Sequence, residues 1–203
     1  VKRRTFTPRQ IRYLRERAEE QYESMQGSRA FRNVEFLLYI VIVVLAALAI
    51  RSFIAEPIRV EGDSMAPTLT NNEDMLVEKV SYWFADPMRG DIVICFYPGY
   101  TESCVKRVIG LPGETVSISG GDIYIDGELL DESDYWQGEI IGDMEPVTVG
   151  NREVFVVGDN RNGSKDSRNP SVGCVPYSKV VGRVIAVVWP VSEYETFSRM
   201  VYE

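Results

Sequence analysis

Gly62-Asp63-Ser64-Met65-Ala66-Pro67-Thr68-Leu69 is the point at which this 203-residue chain changes character. Ahead of it lies a long unbroken apolar run; after it come short alternating runs cut by Gly and Pro, the pattern of half-buried strands. The octapeptide is a glycine-led turn that presents one serine among Met65, Ala66, Pro67 and Leu69, too apolar a setting for an ordinary solvated turn. The chain contains no histidine, so it cannot build a Ser-His-Asp relay by itself. A nucleophilic Ser64 needs a lysine, a carboxylate or a terminal amine as its base. A lysine serves when apolar neighbours strip its water and lower its pKa. Lys106, in Cys104-Val105-Lys106-Arg107-Val108-Ile109-Gly110, is embedded in such a run. In an extended strand Lys106 and Arg107 point to opposite faces, so one is expected to enter the core while the other stays wet.

Upstream, Phe36 to Ile50 is continuously apolar, and extension to Ile54 gives nineteen residues, about 28 Å of helix and close to the hydrocarbon thickness. Residues 34–55 are therefore expected to span a membrane, with Arg51 snorkelling to the outer interface. Residues 1 to 32 carry nine Lys/Arg against four Asp/Glu, leaving −13 for the remainder of a chain whose total is −8. That asymmetry places residues 1–33 in the cytoplasm and residues 56–203 outside. Within the first segment Ile11, Leu14, Ala18, Tyr22 and Met25 recur at helical spacing between charges. Two readings stay open for this basic amphipathic helix: it lies on the cytoplasmic membrane surface, or it is a solvated helix whose charges obey topology.

Downstream, residues 58–60, 75–80, 91–97, 104–109, 115–118, 123–125, 153–157 and 180–189 read as strands, separated by breakers such as Pro98-Gly99, Pro112-Gly113 and Asp126-Gly127. The expected fold is mainly β: an antiparallel sheet or partly closed barrel with a smaller β insertion at about 112–152. Asp131-Glu132-Ser133-Asp134 reads as a solvated loop, and the tail after Pro190 carries no motif. Three cysteines make neither a disulfide framework nor a metal site. Cys95 and Cys104 flank a turn and either pair across it or stay free. No metal or cofactor is expected, and the acidic main domain makes nucleic acid a poor partner.

The octapeptide at 62–69, Gly90-Asp91-Ile92-Val93, Lys106 to Glu114, and Gly158-Asp159-Asn160-Arg161-Asn162-Gly163-Ser164-Lys165-Asp166-Ser167-Arg168 resemble, in order, the conserved boxes of bacterial type I signal peptidases. Four boxes in order behind an apolar anchor are specific; the resemblance runs from about residue 36 to 190. It implies a serine endopeptidase with Ser64 as nucleophile and Lys106 as base, cutting signal peptides from secreted pre-proteins after Ala-x-Ala-like sites. Ser164 occupies the position of the serine that orients the lysine, and Asp159, Asp166 and Arg168 those of residues that brace the site. The Ser64 backbone N–H is one oxyanion donor; Gly62 stands where some members carry a hydroxyl, so another group must supply the second. Ile58, Val60, Met65, Leu69, Ile94 and Val105 match pocket-lining positions. The implied partners are signal peptides, the lipid bilayer and the protein-export machinery.

Two other readings fit parts of the pattern. A self-cleaving repressor-type peptidase shares the dyad but carries a DNA-binding domain where this chain has the apolar run. A non-catalytic membrane-tethered β-domain acting as an adaptor or scaffold gains if Lys106 is fully exposed, with no apolar cover. Topology is tested by a cysteine at Gln10, in a chain freed of its three native cysteines: an impermeant thiol reagent is expected to label it only after cells are opened.

Overall fold

The structure is a computed structural model and describes residues 7–26, 29–200 and 202. It divides into two units, Val1–Ile50 and Arg51–Glu203. The first holds helices α1, Pro8–Gln26, and α2, Arg29–Ala49. Local sequence fixes the start of α1: the Gln10 side-chain oxygen accepts the Thr7 backbone N–H at 2.9 Å, the reciprocal half of a capping box, with Pro8 at the first helical position. Arg12–Glu16 and Arg15–Glu19 lie one turn apart along its surface. The 21 residues of α2 extend about 31 Å. Its window Phe31–Ala49 has a mean hydropathy of 2.1 and contains no buried residue, and it is long and apolar enough to cross a membrane. A wider helical turn, Ile50–Ile54, follows.

The second unit is mainly β. In chain order come β1 Ala55–Arg59, β2 Asp74–Glu78, the short helix α3 Ser81–Phe84, β3 Ile92–Phe96, β4 Ser103–Gly110, β5 Thr115–Ser119, β6 Asp122–Ile125, β7 Glu128–Leu129, β8 Met144–Thr148, β9 Glu153–Val157, β10 Val175–Pro176, β11 Val180–Trp189 and β12 Glu195–Thr196. The larger sheet runs β1-β2-β11-β3-β4-β9-β10, with β12 on β11; its pairs are antiparallel, and register shifts interrupt β11 against β2 and β3. Such shifts bend and twist the strands that carry them. A four-stranded sheet, β7-β6-β5-β8, occupies the stretch between β4 and β9.

Three apolar clusters hold these layers. Val60, Met65, Leu69, Met75, Val77, Ile92, Ile94, Val184 and Val187 form one, under the Ser64 turn. Val93, Cys95, Tyr97, Val108, Val154, Val156, Val172 and Val175 form the second, on the other face of β3 and β4. The third joins the two sheets: Ile109, Phe155 and Val157 from the larger meet Val116, Ile118 and Ile123 from the smaller.

Strands β7, β8, β10 and β12 escape the sequence pattern. Pro146 interrupts β8, which is tolerated because β8 is an edge strand. The acidic stretch at 131–134 departs from a solvated loop. Glu132 is buried and receives both Arg161 terminal nitrogens, at 2.7 and 2.6 Å, a pairing set by residues 29 positions apart. The tail after Pro190 is also part of the fold: beyond β12, Arg89 stacks on the Tyr202 ring at 5.7 Å, and the Tyr202 hydroxyl donates to Tyr135 Oη at 3.2 Å.

Phe155 has no exposed surface and stands where the sheets meet. Phe155→Ala is expected to cost about 3–5 kcal/mol, read as a fall in the midpoint of denaturant unfolding.

Candidate active site

Ser64 sits in the turn between β1 and β2, where the chain leaves the larger sheet. Residues 63–69 are tied together by Ala66 N–H to Asp63 O and Leu69 N–H to Met65 O, while Met65 and Leu69 anchor the turn in the first cluster. Lys106 comes from β4, opposite Val93 of β3. Its Nζ lies 2.6 Å from Ser64 Oγ and donates to Val105 O at 2.7 Å. The residue is only 2% exposed. Burial drives its pKa below the ordinary lysine value, against the opposing pull of Cys104, Asp166, Cys95 and Asp159. One N–H engaged by Val105 leaves the lone pair of a neutral amine free to take the serine proton.

Arg107 departs from the expectation that one of the pair stays wet: it too is 2% exposed. Its Nε and a terminal nitrogen reach Asp159 at 2.9 and 2.6 Å, its other terminal nitrogen donates to Gly90 O at 3.1 Å, and the Tyr135 ring covers it at 4.0 Å. The smaller sheet's connections and the buried Asp159 thus satisfy a charge that arginine cannot shed.

The 158–168 loop closes the site from above. Asp166 takes Arg168 at 2.7 and 2.8 Å and also accepts the Gly158 N–H at 3.0 Å. A Cβ on Gly158 would lie 2.3 Å from Ser64 O and 2.2 Å from Ser164 Oγ, so glycine alone permits this approach. Ser164 does not make the bond expected of it: its buried Oγ has no hydrogen-bond partner among the described residues, and Lys106 is oriented by the Val105 carbonyl instead. The Ser64 backbone N–H makes no hydrogen bond among the described residues.

Ile58, Val60, Met65, Leu69, Ile94 and Val105 all belong to or pack on one cluster. Leu69 has no exposed surface, and Val60, Met65 and Ile94 are buried. Only Ile58 and Val105, half-buried at the cluster's margin, can meet a ligand without rearrangement. Cys95 and Cys104 face each other across β3 and β4 with their sulfurs 3.7 Å apart, as free thiols. The hydrogen bond from Cys95 holds the Cys104 pKa down, at about 7. Among the described residues no group of His, Cys, Asp or Glu could hold a metal ion.

A serine hydroxyl against a dry lysine amine equips this β-domain for acyl transfer of the serine–lysine type. The profile of signal peptidase, peptidase S26, matches residues 33–189. The chain is 42% identical over 158 residues to Signal peptidase I of Leptolyngbya laminosa, covering 73% of this chain and 76% of that protein. It is 40% identical over 163 residues to Signal peptidase I T of Bacillus subtilis, covering 76% and 84%. A solved signal peptidase I from Enterococcus faecalis aligns with 49% of this chain and 97% of its own, at 32% identity and a TM-score of 0.42. The chain belongs to the signal peptidase family, peptidase S26.

Removing Asp159 would leave Arg107 buried without its carboxylate. Asp159→Ala is expected to destabilise the second unit by about 3–5 kcal/mol, measured by chemical denaturation, and Asp159→Glu to recover only part of that loss.

Proposed function

We propose that this chain is a membrane-anchored serine endopeptidase that removes N-terminal signal peptides from secreted pre-proteins, with Ser64 as nucleophile and Lys106 as general base. The observation that carries this reading is the 2.6 Å approach of a buried Lys106 amine to the Ser64 hydroxyl. Neutral Lys106 takes the Ser64 proton as Oγ bonds to the scissile carbonyl carbon. The resulting oxyanion takes the unengaged Ser64 N–H. Collapse breaks the carbon–nitrogen bond, and the lysine ammonium returns its proton to the departing amine. Lys106 then deprotonates a water that attacks the ester, and Ser64 leaves with the proton.

The open backbone edges support an extended substrate. β1 is the terminal strand of its sheet, and among the described residues β4 over Ser103–Lys106 pairs only with β3. A peptide laid along these edges gains main-chain hydrogen bonds, and alternate side chains meet Ile58 and Val105. The filled cluster behind them favours small residues, consistent with Ala-x-Ala. Asp159, Asp166 and Arg168 brace the loop over the dyad, and Ser164 fills the space beside Gly158. The apolar α2 tethers the protein to the bilayer, with the basic N-terminus cytoplasmic and the peptidase outside, beside the protein-export machinery that delivers its substrates.

The test is cleavage of a labelled pre-protein with an Ala-x-Ala site by the purified chain in lipid. Ser64→Ala and Lys106→Ala are each expected to lose at least about a thousandfold in kcat, and Lys106→Arg as much, because arginine stays protonated. Cleavage at that site by both mutants would sink the dyad. The base acts neutral, so activity rises with pH through the Lys106 pKa and is lost as pH falls through it. Burial lowers that pKa, so the acid limb is expected below the ordinary lysine value of 10.5.

A further inference from the structure

The 158–168 loop reaches the nucleophile's backbone through one residue that neither the dyad nor its ion pairs account for. Asn160 Nδ2 donates to Asp63 O at 3.0 Å, and the Asn160 backbone N–H donates to Ser64 O at 3.1 Å. These bonds grip the two successive peptide groups that flank the Ser64 α-carbon. The first matters more. Asp63 C=O and Ser64 N–H belong to the same planar, trans peptide and point in opposite directions. Holding the carbonyl fixes where the N–H aims, and a carbonyl that accepts a hydrogen bond makes the N–H of its own peptide a stronger donor. That N–H is unengaged within the protein among the described residues.

We infer that Asn160 is a positioning residue for the oxyanion site: its side-chain amide orients and polarises the Asp63–Ser64 peptide so that the Ser64 N–H receives the charge that develops on the scissile carbonyl. The inference rests on the Ser64–Lys106 reading. Gly62 contributes no side-chain donor at this turn, and its own N–H is taken by Asn71 Oδ1 at 3.1 Å, which leaves more of the work to the Ser64 backbone. The loop is shaped for the amide. A Cβ at Gly163 would lie 2.6 Å from Asn160 Nδ2 and 2.8 Å from Oδ1, so glycine at 163 leaves the room in which the carboxamide lies. The Gly163 N–H donates to Asn160 O at 3.0 Å, closing the short turn that aims the side chain back at residue 63. Carbonyl oxygens only accept, so Asp63 O can be served by the Nδ2 end of the amide and not by Oδ1.

The role separates from mere loop packing because it acts on the transition state alone. The experiment uses the full chain in lipid with the labelled pre-protein. Two further probes are a peptide boronic acid, which adds to Ser64 as a tetrahedral adduct, and an uncleavable peptide of the same sequence. Asn160→Asp replaces the donor with an acceptor of the same shape, Asn160→Ala removes it, and Gly163→Ala displaces it; the Asn160 backbone N–H remains in all three. Each is expected to lower kcat roughly 10- to 100-fold, less than deleting a donor that touches the oxyanion directly. KM and uncleavable-peptide affinity should stay within about twofold, while boronate affinity falls in parallel with kcat/KM.

Parental kcat and boronate affinity in Asn160→Asp and Asn160→Ala would overturn the inference. So would an equal loss of affinity for the boronate and the uncleavable peptide, the mark of a loosened cleft. A Ser64→Ala control that still cleaves would overturn the dyad and this inference together; an inactive Ser64→Ala beside a fully active Asn160→Ala would overturn this inference alone.

Discussion

Two adjacent cations on opposite faces of one buried strand set the terms for the rest of this protein. Lys106 and Arg107 are both removed from water on β4, and each face must deal with a charge that low-dielectric surroundings penalise. The two residue types allow two different answers. Lysine can lose its proton, and burial moves Lys106 in that direction. Arginine cannot, so Arg107 is matched by a carboxylate at 2.6 and 2.9 Å and an aromatic ring at 4.0 Å. One strand thereby supplies a neutral base on one side and a fixed, paired cation on the other.

The pairing draws distant segments to the site. Asp159 lies 52 residues from Arg107, so the ion pair pins the start of the 158–168 loop to β4. The second pair, Asp166 with Arg168, holds the far end and reaches back to the Gly158 N–H. Between them the loop passes close over Ser64, and glycine at 158 removes the side chain that would keep it away. Buried ion pairs are weak sources of net stability but strong constraints on geometry once built, because breaking one strands a charge. Here their effect is to hold a loop against a nucleophile. The smaller sheet joins this arrangement through Tyr135 and through Glu132, which matches Arg161 within the loop.

Much of this was legible from residues alone. The apolar run around α2, the switch to alternating strands after Ser64 and the absence of histidine depend on local composition and period, which sequence displays directly. Strands β3, β4, β9 and β11 are apolar enough to be read without partners. β8 and β12 were not, because each is an edge strand whose pairing comes from a neighbour's register rather than its own pattern. Glu132 reads as a surface acid in an acidic stretch until Arg161 arrives in space. Arg107 reads as the wet member of a strand pair until Asp159 and the Tyr135 ring close on it.

The chain's composition and order supply the inventory: one serine in an apolar turn, one lysine in an apolar strand, no histidine to compete for the role, and a polar loop rich in hydrogen-bonding groups. These are properties of residue types and of spacing along the chain. Tertiary structure alone decided that Lys106 Nζ comes within 2.6 Å of Ser64 Oγ across 42 residues, and that Val105 O rather than Ser164 orients it. It also decided that Asn160 holds the nucleophile's peptide from 97 positions away. Hydrogen bonds are made over about 3 Å, and sequence carries no record of which donors and acceptors folding brings within that reach.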